Sequence, residues 1–304
     1  MKKNPVQFKS LSQLHKAMGQ APPTHPLISI LNYGEAIFDV KDFEEGIILD
    51  FYKISFKTSF SGQLKYGQGF YDFEEGGMSF IAPGQLLRMQ SEEADYSGMS
   101  LHIHPDFIRS YPLNSIIKQY GFFNYSVAEA LYLSEKEKET ILRIYNFIQE
   151  ELNERIDKFS QDVIISQIEL LLNYANRFYD RQFITRKVVN NDVLNRLEVL
   201  LENYFNEEKS LTNGLPSVDF VASELSLTPR YLSDMLRNLI GLNTQQFIHE
   251  KLIEKAKEYL AKDELNVSQI AFNLGFEHPQ SFTKLFKKKT SITPLQFKEK
   301  FFKN

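Results

Sequence analysis

The sequence contains no cysteine among its 304 residues. Disulfide bonds, thiolate metal sites and cysteine nucleophiles are therefore excluded, and the composition suits a reducing compartment. No apolar run approaches the roughly 18 residues that a membrane-spanning helix requires. Two lysines follow the first methionine, but no apolar segment stands behind them, so we expect no signal peptide. Together these absences predict a cytoplasmic protein that does not enter a membrane.

Positive charge is concentrated near the C-terminal end, although the net charge of the chain is −4. Residues 218–304 hold 13 lysines and arginines against 10 aspartates and glutamates, so the preceding residues carry the whole negative excess. The last thirty residues hold seven lysines and two acidic residues. A basic end on an acidic chain is typical of contact with a polyanion, but a solvated lysine-rich surface has the same composition.

Short aromatic and β-branched runs separated by turn residues dominate residues 27–105. This spacing predicts strands that form a barrel or jelly roll. The order FEEGGMSFIAPGQ, with paired glycines, a strand and then Pro83-Gly84, resembles a cupin turn. In the last of these strands His102 and His104 alternate and would face the same side. Two such histidines can share a metal ion, but no third ligand follows at a suitable spacing, and structural histidines are the alternative.

Helical periodicity follows the strand pattern. Ser134 and Glu137 form a capping box ahead of one amphipathic helix, and further helices are predicted from residue 160 and across 191–205. Periodicity stops in NEEKSLTNGLPS, which indicates a domain boundary. The predicted fold class is α+β, in three segments: a cupin-like β-barrel with dimerisation helices at 1–205, a linker at 206–217, and an all-α domain at 218–304.

Two stretches near the C-terminal end repeat the same order of helix signals. In the first, Thr228 and Pro229 suit the N-cap and first position of a helix that ends at Gly241. In the second, Gly275 makes the turn and a new helix begins near Pro279. Two short helices joined by a tight turn can place the second helix in the DNA major groove. The repeat therefore predicts two helix-turn-helix units.

Between the two units lies TQQFIHEKLIEKAKEYLA, a segment that contains neither glycine nor proline. As a helix it would span roughly 27 Å, at about 1.5 Å per residue. Major grooves on one face of a duplex recur about every 34–36 Å. A rigid helix of this length would hold the two second helices in adjacent grooves, although most amphipathic helix pairs simply pack against each other.

The second unit contains, in this order, Ile270-Ala271, Gly275-Phe276, Phe282, Phe286-Lys287-Lys288, Thr293-Pro294 and Phe297-Lys298. This order resembles the AraC/XylS family of transcription regulators, whose usual pattern is Ile-Ala, Gly-Phe, an aromatic residue, Phe-Lys, Ser-Pro and Tyr-Arg. The resemblance extends over residues 218–304. Two positions depart from the pattern, because Ser291 replaces a glycine at a helix end and Phe297-Lys298 replaces Tyr-Arg.

The resemblance implies that the exposed face of each second helix contacts double-stranded DNA. Asp234 would accept a hydrogen bond from a cytosine amino group or, alternatively, bind Arg230 or Arg237. The lysines of the second unit would hold phosphates or remain in solvent. The base-contacting residues carried over from the family pattern are Arg230, Ser233, Asp234, Arg237, Pro279, Gln280, Ser281 and Lys284. Lys287 and Lys288 complete the predicted DNA-binding set as phosphate contacts.

The resemblance also implies a cupin-like sensor in the first part of the chain. Aromatic residues crowd the predicted strands, and some of them would line a small apolar pocket. Arg88 would anchor an anionic effector there, although it equally suits a surface position. The predicted effector-binding residues are Phe51, Tyr66, Tyr71 and Arg88.

The helix QDVIISQIELLLNYANRF has a wide apolar face. One side of that face would pack on its own domain while the other meets a second subunit. Burial within a single subunit is the competing explanation. The predicted dimerisation residues are Ile164, Ile168, Leu171 and Leu172.

These patterns predict a sequence-specific DNA-binding transcription regulator, and not an enzyme, that binds a small-molecule effector and acts as a homodimer. RNA polymerase is a further candidate partner, and no cofactor or metal is predicted. Two alternatives stay open: a constitutive dimeric DNA binder without an effector, and a cupin-type enzyme with a helical appendage. The enzyme alternative lacks a convincing metal cluster, catalytic triad or glycine-rich phosphate motif.

Overall fold

The computed structural model describes residues 5–37, 43, 45–58, 63–66, 69–72, 76–87, 97–126, 129–155, 157–207, 209–262 and 264–302. The chain divides into two compact units, Met1–Thr185 and Arg186–Asn304. None of the described helices combines the length and the apolar character that crossing a bilayer requires.

The first unit mixes strands and helices. Its described strands are β1 (Val6–Phe8), β2 (Ile28–Asn32), β3 (Ile47–Leu49), β4 (Tyr52–Lys57), β5 (Gln63–Tyr66), β6 (Gly69–Asp72), β7 (Gly77–Ile81), β8 (Leu86–Leu87), β9 (Gly98–Ile103) and β10 (Leu131–Tyr132). Its described α-helices are α1 (Leu11–Ala17), α2 (Pro105–Ile108), α3 (Leu113–Ile116), α4 (Glu135–Asn153) and α5 (Ser160–Thr185). Short 3-10 turns occur at Tyr33–Glu35, Ile117–Gln119 and Gly121–Asn124.

The strands form three separate sheets. The largest is antiparallel, with the order β10-β7-β4-β9-β2. In the central strand β4, Ile54 lies opposite Phe80 of β7 on one side and Leu101 of β9 on the other. A second sheet has the order β1-β3-β8, and β5 pairs with β6. The described strands show a sheet-rich α+β unit and no closed barrel among them, so the cupin-like barrel stays a prediction.

Helix α4 contacts the central strand β4 of the largest sheet. It begins at the predicted capping box, where the Glu137 carboxylate accepts a hydrogen bond from the Ser134 N–H at 2.8 Å. The buried Tyr145 hydroxyl donates to the Ile54 carbonyl at 2.8 Å and so fixes the helix to β4. Burial raises the pKa of Tyr145 well above its ordinary value, so this hydroxyl remains a donor.

The two histidines of the sequence motif have different environments. His102 is buried in β9, with Nε2 lying 3.3 Å from the Ser100 hydroxyl. His104 lies beyond the strand, where its Nδ1 accepts from the Asp106 N–H and caps α2. Burial, followed by the charges of Lys53 and His15, lowers the pKa of His102 well below its ordinary value. These environments favour a structural role for both side chains: His102 is part of the buried strand β9, and His104 caps α2.

Helix α5 buries its wide apolar face inside the first unit. Between 0% and 4% of each side chain is exposed at the four predicted dimerisation positions, and α5 packs closely on α4. The predicted dimer seam is therefore corrected, because these side chains are already covered by their own chain and cannot meet a second copy in this conformation. The covered residues are Ile164, Ile168, Leu171 and Leu172.

The second unit is helical throughout its described part. Its helices are α6 (Lys187–Asn206), α7 (Lys209–Asn213), α8 (Val218–Glu224), α9 (Pro229–Ile240), α10 (Thr244–Lys262), α11 (Val267–Asn273), α12 (Pro279–Thr290) and α13 (Pro294–Phe302). The C-terminal all-α domain is present as predicted, but it begins earlier than residue 218.

The difference at the domain boundary has a physical cause. Tyr204 and Phe205 at the end of α6 are buried in the same apolar cluster as Phe282 and Phe286 of α12. The Tyr204 hydroxyl donates to the Gly214 carbonyl at 3.0 Å, which draws the predicted linker onto the domain. The loss of periodicity at 206–217 thus marks a short packed connection that includes α7, and the unit extends back to residue 186.

This boundary predicts how fragments behave. A fragment of residues 186–304 is expected to unfold in one cooperative thermal transition, measured by circular dichroism. A fragment of residues 218–304 lacks the two rings of α6 and should have a much lower transition temperature, because removing a single buried aromatic side chain costs about 3–5 kcal/mol. Equal transition temperatures for the two fragments would show that α6 does not stabilise the domain.

Candidate nucleic-acid interface

The first helix pair consists of α8 and α9. Ser217 caps α8, since its hydroxyl accepts from the Phe220 N–H at 3.1 Å. The chain then turns at Ser226, which has a φ of 58°. Thr228 caps α9 through a hydrogen bond from the Tyr231 N–H at 3.3 Å, with Pro229 in the first turn. The predicted cap, proline and turn are confirmed.

Helix α9 separates a buried face from a polar face. Tyr231, Leu232, Met235 and Leu236 are buried, as their spacing predicts. The opposite face presents Arg230, Asp234 and Arg237, which follow one another at intervals of four and three residues. The three side chains therefore lie in one stripe along the helix.

Asp234 binds both arginines of this stripe. One carboxylate oxygen lies 2.9 Å from Nε of Arg230 and the other lies 2.7 Å from Nη1 of Arg237. The side chain of Asp234 is 17% exposed, whereas the arginines are 45% and 48% exposed. The ion pair that the sequence left open for Asp234 is present in this structure, and the base contact stays a prediction.

Ser233 points toward the interior of the second unit. Its hydroxyl lies 2.9 Å from the hydroxyl of Thr244, which is fully buried at the start of α10. This contact joins α9 to the connecting helix. The predicted base contact of Ser233 would require that side chain to leave Thr244, so the arrangement favours a structural role.

The second helix pair, α11 and α12, repeats this plan. Asn266 and Gln269 cap α11 with two reciprocal hydrogen bonds of 2.9 Å, as the capping-box pattern predicts. Gly275 then turns the chain with a φ of 92°, and Phe276 is buried beneath the turn. Phe282 and Phe286 bury one face of α12.

The opposite face of α12 is polar and basic. Exposed side chains include Gln280, Ser281, Lys284, Lys287 and Lys288, and Pro279 is partly exposed at the first position. Within the described part of the chain none of these three lysines forms an ion pair. Lys289 differs, because its Nζ lies 2.8 Å from Glu250 of α10.

Helix α12 ends at Ser291, where the family pattern has glycine. Ser291 adopts the left-handed conformation with a φ of 68°, and its N–H donates to the Lys287 carbonyl at 2.8 Å. The helix end therefore keeps its cap despite the Cβ atom, at a cost of about 1–2 kcal/mol. Thr293 and Gln296 cap the start of α13, with the Thr293 N–H donating to Gln296 at 2.9 Å.

The connecting helix α10 lies between the two pairs in sequence and packs against both second helices. Its 19 residues correspond to about 28 Å. Buried positions run along its whole length, from Phe247 and Ile248 through Leu252 to Leu260. One continuous helix therefore carries the packing surfaces for α9 and α12.

A glycine pair that the sequence did not reveal supports the second turn. A Cβ atom on Gly275 would lie 2.6 Å from the carbonyl carbon of Gly214. The Ser210 hydroxyl donates to the Asn273 carbonyl at 2.5 Å beside this contact. The backbone of the predicted linker therefore packs directly against the turn that precedes α12. In the sequence, the one signal for this contact is a glycine in each of the two turns, Gly214 and Gly275.

The described structure places only part of the predicted effector site. Phe51 is fully buried in an apolar cluster with Phe8 and Leu11, and its ring lies edge-on to His102 with centroids 5.6 Å apart. The backbones of Tyr66 and Tyr71 lie in β5 and β6. The predicted anchor Arg88 lies outside the described residues. Phe51 therefore serves the core, and the pocket stays a prediction.

Comparison with known proteins identifies a helix-turn-helix domain across residues 221–300. The HTH-type transcriptional activator RhaS of Escherichia coli O1:K1 / APEC is 28% identical over 151 residues, a match that covers 50% of this chain and 50% of RhaS. This chain thus spans about half the length of the curated relatives of this kind that it matches.

Two solved structures are similar to part of this chain. The C-terminal domain of AraT, a response regulator from Geobacillus stearothermophilus, is 26% identical, covers 36% of this chain and 84% of its own, and has a TM-score of 0.31. The C-terminal domain of yesN from Fusobacterium nucleatum is 32% identical, covers 33% of this chain and 94% of its own, and has a TM-score of 0.28. TM-scores at this level establish no shared arrangement of the whole chain.

The glycine pair yields a prediction with a matched control. Gly275→Ala combines a positive φ with a backbone clash and should destabilise residues 186–304 by about 3 kcal/mol or more. Gly241→Ala should cost only about 1–2 kcal/mol, because Gly241 has a φ of 74° and no atom within 4 Å of the added Cβ. Urea unfolding of both variants measures the difference, and equal losses would contradict the close contact.

Proposed function

We propose that this chain, a member of the AraC/XylS family by its C-terminal domain, is a sequence-specific DNA-binding transcription regulator. The observation that carries the proposal is the pair of second helices, α9 and α12. Each begins at a proline, buries an apolar face and presents a polar face with basic side chains. A helix with these properties is suited to the major groove.

The connecting helix supports two-groove binding. Helix α10 is about 28 Å long, and successive major grooves on one face of a duplex lie about 34–36 Å apart. Because α9 and α12 both pack on α10, their separation is set by packing and not by a flexible linker. Both helices would therefore engage one duplex together, each reading a few base pairs.

Residue roles follow from side-chain chemistry. Arg230 and Arg237 carry guanidinium groups suited to guanine O6 and N7, and Gln280 can pair with adenine. Lys284 reaches either a base edge or a phosphate, and Lys287 and Lys288 hold phosphates from the last turn of α12. Pro279 offers an apolar contact to a thymine methyl group, and Ser281 a hydroxyl contact to base or backbone.

The first unit is proposed to regulate the second. In this proposal it is a cupin-like sensor whose sheet accepts a small-molecule effector, while RNA polymerase contacts the DNA-bound chain in the cytoplasm. A constitutive dimer without an effector remains the second candidate, and operator affinity measured with and without candidate metabolites separates the two.

The described residues hold no group of three or more His, Asp or Glu side chains arranged for a metal ion, so a metal-dependent cupin-type enzyme has no supporting cluster there.

Homodimerisation is proposed through the outer face of α5. Val163 and Leu170 are 39% and 46% exposed on that face, and Phe159 just before the helix is 56% exposed. These apolar side chains follow one another along one side of the helix, opposite the buried residues that pack on α4. A second copy of α5 would cover them in an isologous contact.

The dimer proposal is tested by substituting this face. The double variant Val163→Asp and Leu170→Asp should sediment as a monomer with an unchanged thermal transition, because both side chains are exposed within one chain. Val199→Asp is the matched control, since Val199 is 56% exposed on α6, outside the proposed face of α5. A double variant that remains dimeric excludes this seam.

DNA recognition is tested by substituting Lys284. If Lys284 contacts a base, Lys284→Ala should weaken binding to a selected duplex by about 1–3 kcal/mol. If Lys284 contacts a phosphate, the loss should be smaller, and the dependence of log affinity on log salt concentration should become shallower by about one unit. Lys257→Ala removes an exposed lysine of the same charge from α10 and should have little effect. Fluorescence anisotropy titrations over a range of salt concentrations measure both. Identical behaviour of the two variants would remove Lys284 from the interface.

A further inference from the structure

The two proposed recognition helices differ in their electrostatics. On α12 the exposed Lys284, Lys287 and Lys288 form no ion pair within the described residues. On α9 both exposed arginines bind the carboxylate of Asp234, at 2.9 Å and 2.7 Å. Helix α9 thus carries an acidic group in the centre of the surface that would face DNA, where it would repel phosphates.

The ion pairs leave part of each guanidinium available. Asp234 occupies Nε of Arg230 and Nη1 of Arg237. A guanidinium has five N–H donors, so both Nη groups of Arg230, and Nε and Nη2 of Arg237, retain donors for another acceptor. A bidentate contact to guanine O6 and N7 needs only two donors. Each arginine can therefore bind a base edge while it remains bound to Asp234.

The same ion pairs work against random phosphate contacts. Arginine side chains otherwise have many rotamers and adjust to the nearest phosphate. Bound to Asp234, which is itself only 17% exposed, the guanidinium groups have fewer favourable rotamers on the helix surface. Their combined positive charge is also reduced by one. A phosphate must either displace the carboxylate or bind close to it.

We propose that Asp234 is a positioning residue that determines specificity: it orients Arg230 and Arg237 toward base edges and weakens their binding to phosphate at random sequences. This inference rests on the proposed function. On this view α12 and its lysines supply affinity that is largely independent of sequence, while α9 discriminates between sequences. Asp234 acts through the arginines and does not itself contact a base.

The test uses the full chain and Asp234→Asn, which keeps the shape of the side chain and removes its charge. The probes are a duplex of about 30 base pairs, enriched by the unmodified chain from a randomised library, and a shuffled duplex of the same composition. Anisotropy titrations across a salt series give both affinities. The expected result is about threefold to tenfold tighter binding to the shuffled duplex, a salt slope steeper by up to about one unit, and a smaller ratio of specific to shuffled affinity.

Glu258→Gln is the matched control for charge. Glu258 of α10 forms an ion pair of 2.8 Å with Lys255 three residues earlier, so this variant removes the same charge and the same kind of contact away from α9. It should leave the affinity ratio unchanged. Asp234→Glu restores the charge and should recover at least part of the ratio. Thermal unfolding of each variant verifies that the domain is intact.

The outcomes separate the inference from the proposed function. If the unmodified chain enriches no duplex, the proposed function fails. If it enriches a duplex but Asp234→Asn and Glu258→Gln alter the two affinities equally, only net charge matters and the inference is overturned. A third outcome is that Asp234→Asn lowers the affinity for the enriched duplex only. If replacing one cytosine of that duplex lowers the affinity equally, and the two changes together lower it no further, Asp234 contacts that base directly. The positioning role is then also overturned.

Discussion

The packing of apolar side chains onto the connecting helix α10 is the constraint on which the candidate interface depends. Leu252, Ala256 and Leu260 are fully buried, and they share one cluster with Phe282 and Phe286 of α12 and with the aromatic end of α6. Because interiors of this kind are close-packed, a small change in one helix is transmitted to the other. The position of each polar recognition face is thus a consequence of what lies buried behind it.

The domain includes more than two helix-turn-helix units. Helix α6 supplies Tyr204 and Phe205 to the core, and the connection that follows it presses Gly214 against Gly275. These contacts fix the turn before α12 from outside the unit that the turn belongs to. They also link the boundary of the DNA-binding domain to the chain that precedes it.

Much of the second unit could be predicted from sequence because its signals are local. Thr228, Pro229, Asn266 and Gln269 specify caps within three or four residues, and the structure has those caps. The start of the domain could not be predicted in this way. Tyr204 and Phe205 find their partners some fifty to eighty residues later, and no local pattern encodes that pairing.

The candidate site shows the same division between local and distant information. The exposed faces of α9 and α12 follow from helical periodicity, but the double ion pair of Asp234 depends on rotamers that periodicity does not specify. In the first unit, the apolar face of α5 was ambiguous, since a buried stripe and a dimer seam have the same composition. Packing on α4 decided that ambiguity in favour of burial.

Hydroxyl-radical footprinting on an enriched duplex tests the central claim, which is that α9 and α12 engage one duplex together. With residues 186–304, two helix pairs at a fixed separation predict two protected patches on one face of the DNA, about one helical turn or 10 base pairs apart. A single protected patch, or two patches on opposite faces, would contradict an arrangement in which one rigid helix holds both recognition helices.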